Sequence, residues 1–146
     1  MKKILLATTA SVLLAGAGYA EDVKIGVVLG FTGPLESITP GMASSAELAM
    51  KEATDSGKFM GGSAVVSVRA DSTCIDAAAA TAAAERVVTA DKVAAIMGAD
   101  CSGVTSAVLQ NVARPNGIGM ISPSATSPAL CWGRRSWWCC RTCARA

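Results

Sequence analysis

The sequence contains no histidine. That excludes Ser–His and Cys–His nucleophile arrangements and histidine metal sites. The G-x-x-x-x-G-K-S/T phosphate loop is also missing. Charged residues make up 16% of the chain and aromatics 4%. No basic face with interleaved aromatics can be traced, so nucleic-acid binding has no support. The longest apolar run, Ile4 to Ala17, falls short of the ~20 residues a membrane span needs, and no second run of that length follows.

What is present begins with an export address. Lys2 and Lys3 form a positive n-region, Ile4 to Ala17 an apolar h-region, and Gly18-Tyr19-Ala20 a small-x-small cleavage site. Residues 1–20 therefore read as a secretory signal peptide, and the exported protein is expected to start near Glu21. No cysteine stands at the cleavage site, which argues against a lipoprotein. The Gly16-x-Gly18 pair has no strand before it and lies in the segment removed.

The formal net charge of +2 conceals a segregation. Between Glu21 and Leu130 eleven acids face seven bases, so this body is acidic by four. From Cys131 to Ala146 there are four arginines, four of the six cysteines, all three tryptophans and no acid. That tail shows no period of two or 3.6. Its cysteines make a poor metal knuckle, because adjacent Cys139 and Cys140 rarely ligate one ion together. Residues whose codons are rich in G and C suggest a shifted reading frame. The expected division is 1–20 signal, 21–130 folded body and 131–146 aberrant tail.

The body alternates strand and helix signals. Val23 to Leu29 is a β-branched run closed by Gly30. Thr39 offers an N-cap and Pro40 a first helical position. Met42, Ala46, Ala49, Met50 and Ala53 follow at helical spacing, and Gly57 ends the helix. Ala64 to Ala70 is a strand whose Ser67 and Arg69 suit a sheet edge. Asp76 can cap a helix over 77–90, with Ala80, Ala83, Ala84, Val87 and Val88 inward. Val93 to Met97 is a third strand. A third helix starts near Ser102 with Val104, Ala107, Val108 and Val112 inward, and Ile118 to Ile121 is a fourth strand.

The spacing predicts an α/β fold with a parallel sheet and helices on both faces. Ligands of such sheets sit beyond the carboxyl ends of the strands. Four loops are thereby nominated: 30–33, 71–74, 100–103 and 122–126. They carry hydroxyls (Thr32, Ser72, Ser102, Ser122, Ser124, Thr126) rather than catalytic groups, which argues against an enzyme. Asp71 and Asp100 could pair as acid and base, but solvated strand-end carboxylates are the expectation. Ser102, at a helix start, is placed to meet a carboxylate or to serve as a plain N-cap. Cys74 and Cys101 each follow a strand end, and export implies an oxidising compartment. A disulfide between them is expected, with two buried free thiols as the alternative; the loops must bend inward to bring them within reach.

Val23 to Pro34, Asp71-Ser72-Thr73-Cys74, Gly98-Ala99-Asp100-Cys101-Ser102 and Ile121 to Pro128, taken in order, resemble the periplasmic leucine/isoleucine/valine-binding protein family. These are type I substrate-binding proteins of ABC importers. The resemblance implies an incomplete first lobe of a two-lobed fold, located in the periplasm, that binds a small-molecule amino acid or amide and delivers it to ABC permease subunits. It implies no cofactor and no catalysis. By position, Ser102 resembles the serine that binds the ligand α-carboxylate, and Thr126 the threonine whose hydroxyl and amide bind the α-amino and α-carboxylate groups. Ser124 sits where a backbone carbonyl meets the ammonium, and Ile38 near the wall against the ligand side chain. The Cys74–Cys101 pair matches a family disulfide. The resemblance places the second lobe after Leu130, so the chain reads as truncated and is expected to bind weakly or not at all. A receptor's extracellular sensing domain on the same fold is the alternative.

Overall fold

A computed structural model of the chain describes residues 21–130; the expected signal peptide and tail lie outside them. Four parallel strands form one sheet in the order β2-β1-β3-β4. They are β1 (Val23–Leu29), β2 (Val65–Asp71), β3 (Ala95–Gly98) and β4 (Gly119–Ile121). Pairing Val27 with Arg69 on one side and with Met97 on the other makes β1 central, which is why its run is almost wholly apolar. The polar Ser67 and Arg69 do mark β2 as an edge.

Helix α1 (Thr39–Asp55) covers one face of the sheet, and α2 (Ala77–Thr89) with α3 (Ser102–Val108) the other. Period-two alternation along β1 divides the core accordingly. Val27 and Leu29 pack with Ala43 on the α1 side, while Val28 joins Ala80, Ala84, Val87, Val104 and Val108 on the other. Small alanines let α2 lie close to the strands, and each buried valine or leucine contributes about 1.5–3 kcal/mol.

Three local expectations need correction. Thr39 is the first residue of α1 and Ile38 its N-cap, because the Thr39 hydroxyl instead donates to the carbonyl oxygens of Gly30 (2.8 Å) and Leu35 (3.2 Å). Cys101, not Ser102, is the N-cap of α3. Of the five positions at helical spacing in α1, Met42 and Met50 pack against the core beside the fully buried Ala43, whereas Ala49 is exposed. The third helix is α-helical only to Val108, then passes into a π-helical segment, Leu109–Ala113, that still buries Val112. Asp76 does cap α2, its Oδ1 accepting from the amides of Ala78 (2.8 Å) and Ala79 (3.0 Å).

The outward side of β2 is partly occupied. Since Val23 bonds to Ala64 and Leu29 to Ser72, the main-chain groups of Val65, Ser67 and Arg69 point away from β1. The Val65 amide donates to Thr54 Oγ1 (2.8 Å), and the Arg69 carbonyl accepts from Arg86 Nη2 (3.3 Å). The Arg69 side chain returns to α1, where it meets both carboxylate oxygens of Glu47 at 2.6 and 2.7 Å. That contact is the main cause of Glu47's lowered pKa; burial opposes it and a Ser67 hydroxyl bond adds to it.

Candidate functional site

The four nominated loops do gather at the carboxyl edge of the sheet, where side chains stitch them together. Between the first and second loops, Thr32 Oγ1 donates to Asp71 Oδ2 (2.5 Å) and the Thr32 amide to Oδ1 (3.3 Å). Burial raises the pKa of Asp71, but the bonds from the Thr32 hydroxyl and from the Thr73, Thr32 and Phe31 amides outweigh it and hold the carboxyl below its ordinary value.

Asp100 joins three loops. Its Oδ2 accepts from the Gly30 amide (3.2 Å) and its Oδ1 from Ser72 Oγ (3.2 Å). The residue is only 3% exposed, contrary to the solvated carboxylate expected from sequence. The expected alternative role as half of an acid–base pair with Asp71 gains nothing, since the two carboxylates take separate sets of donors. Gly30 is tightly enclosed here: a Cβ would stand 3.0 Å from Asp100 Oδ2 and 3.2 Å from the Cys74 Cβ, so either neighbour would have to give by a few tenths of an ångström. Nothing in the sequence pattern signals the burial of Asp100, because three separate loops create its environment.

The fourth loop docks on the third. Ser122 Oγ donates to the Ala99 carbonyl (2.5 Å) and accepts from the Ala125 amide (2.9 Å). Ser124 Oγ donates to the Asp100 carbonyl (2.8 Å). Ser102 Oγ accepts from the amides of Thr126 and Ser127, both at 3.2 Å. The structure thus brings Ser102, Ser124 and Thr126 together. Two acceptances leave the Ser102 O–H free to donate. Ile38 stands apart from this network at the start of α1, 57% exposed.

Cys74 and Cys101 form a disulfide with a Cα–Cα distance of 5.2 Å. Their strands flank β1, so regular strand ends would lie about 10 Å apart. The inward bend comes from two consecutive left-handed residues, Thr73 (φ +55°) and Cys74 (φ +71°). The Asp71 carboxylate supports this turn by accepting from the Thr73 amide at 2.8 Å.

The sequence profile of the periplasmic binding protein family matches residues 22–140. That match reaches into the segment after Leu130 that composition sets apart. The chain is 32% identical over 128 residues to the Leu/Ile/Val/Thr-binding protein of Salmonella typhimurium, covering 88% of this chain and 34% of that protein. Among solved structures it is similar to a branched-chain amino acid transporter substrate-binding protein of Streptococcus pneumoniae in complex with isoleucine. There the TM-score is 0.68 at 32% identity, over 75% of this chain and 30% of the other. A leucine-binding protein of Thermotoga maritima gives a TM-score of 0.66 at 28% identity, over 77% and 30% of the two chains. The chain therefore spans about a third of the length of the curated relatives it matches. It belongs to the periplasmic binding protein family.

Proposed function

We propose that the chain supplies one wall of a periplasmic solute-binding site for a branched-chain or related amino acid, as part of an ABC importer. The observation that carries this reading is the docking of the 122–127 loop on Ser102, which sets hydroxyls and amides side by side beyond the carboxyl ends of β3 and β4. In this reading the free Ser102 O–H and the Thr126 hydroxyl meet the ligand carboxylate, and the Ser124 carbonyl meets the ammonium. Ile38, outside the network, is proposed to border the ligand side chain.

A ligand held by one wall keeps most of its surface in water, so the described residues alone bind weakly. Isoleucine titrated into the ¹⁵N-labelled chain should shift the amide resonances of Ser102, Ser124 and Thr126, with affinity weaker than micromolar, and Ser102→Ala should abolish the shifts. Shifts elsewhere with none at these residues would overturn the site. Micromolar affinity would overturn the single-wall argument.

A further inference from the structure

Cys74 Sγ, Cys101 Sγ and a carboxylate oxygen of Asp100 all lie within 4.8 Å of one another. The Asp100 carboxylate is 3% exposed, and the donors on it, a backbone amide and a hydroxyl, carry no charge. Next to two sulfurs, this carboxyl group supplies a third protein ligand for a metal ion. A tetrahedral zinc ion with bonds of about 2.3 Å to sulfur and about 2.0 Å to oxygen needs ligand atoms about 3.3–3.8 Å apart. Side-chain rotation at a Cα–Cα distance of 5.2 Å can open the two sulfurs to that spacing once they are no longer bonded.

We propose that the reduced chain holds a thiophilic divalent cation of the zinc class on Cys74, Cys101 and Asp100, a site that the disulfide closes. The site uses other side chains than the amino-acid site, although the two share the 100–103 loop, and it goes beyond that reading. Reduction by a water-soluble phosphine breaks the S–S bond: phosphorus is oxidised to the phosphine oxide, taking its oxygen from water, and the two sulfurs receive the two protons. Metal binding then releases both thiol protons, and the two thiolates and the carboxylate replace all but one of the metal-bound waters. Gly30 N–H and Ser72 O–H keep the carboxylate oriented, the support that ligating carboxylates ordinarily have. The fourth position stays open to water.

The test uses the full chain with Cys131, Cys139, Cys140 and Cys143 changed to Ser, reduced with phosphine under nitrogen and titrated with cobalt(II). One cobalt per monomer is expected, with a thiolate charge-transfer band, a tetrahedral visible band and two protons released. The oxidised chain and Cys74→Ser should lose the charge-transfer band or at least half its intensity. Asp100→Asn should weaken binding at least tenfold. Asp100→Cys should raise the charge-transfer intensity by about half, as three thiolates replace two, a change that a merely structural role would not produce. If reduction unfolds the chain, cobalt should restore its helical circular dichroism. No band, no refolding, equal binding by the oxidised chain, or an Asp100→Cys spectrum identical to the parent's would each overturn the proposal.

Discussion

Replacing Cys74 and Cys101 together by Ser opens a loop whose ends are 27 residues apart in sequence. That loop contains the whole of α2 and β3, and its closure also ties together the two strands flanking β1. Cross-linking a ring of this size removes about 12 cal/mol/K from the unfolded ensemble, or about 3.6 kcal/mol at 25 °C. Domains of this kind have about 5–15 kcal/mol of total stability, so the loss is a large share of it. With a urea slope of about 1.3 kcal/mol/M, the unfolding midpoint should fall by about 2.8 M. The comparison belongs in a background with the four cysteines after Leu130 changed to Ser, followed by circular dichroism. Where the variant lacks a folded baseline, equal trimethylamine oxide in both samples restores one. A loss below about 1 kcal/mol would refute the reasoning, since the cross-link would then not be acting through loop entropy.

Gly98→Ala should cost more than about 3 kcal/mol, because Gly98 has φ +140° and a Cβ there would fall on the Val28 carbonyl oxygen. Gly103→Ala, inside α3 and with nothing within 4 Å of its Cβ, should not lower the melting temperature. Asp71 has its folded-state pKa lowered, so its contribution is fully present above its unfolded pKa and is lost as pH falls through the lower folded value. Stability measured from pH 6 downward should therefore decline below about pH 4, and Asp71→Asn should flatten that decline; an unchanged acid limb would contradict the Thr32–Asp71 bonding.

Periodicity made the framework legible. The β-branched run of β1, the polar positions of β2 and the alanine stripe of α2 each report a burial that one element settles by itself. Asp76 was readable for the same reason, since its cap partners lie two and three residues away. Thr39 and Ser102 look like caps by the same local rule, yet each hydroxyl answers to a distant loop instead. Asp100 shows the limit most clearly. A carboxylate after a strand is ordinarily solvated, and only Gly30 from β1's end and Ser72 from β2's end turn it into a buried junction. Hydroxyl-rich loops could be nominated from topology; which hydroxyl bonds to which backbone group depends on a docking that no local spacing encodes.

The Thr54 and Arg86 bonds on the outer side of β2 give the sheet a direction of growth. A foreign strand arriving there must displace two existing hydrogen bonds, each worth about 0.5–1.5 kcal/mol net, before it forms any of its own. At β4, no side chain among the described residues guards the ladder in this way, and Ile121 is 72% exposed. Among the described residues, a second molecule adding a strand would therefore meet less resistance at the β4 margin than at β2. Self-association of this chain through edge pairing should nucleate there, and a charged residue in place of Ile121 is the point at which to block it.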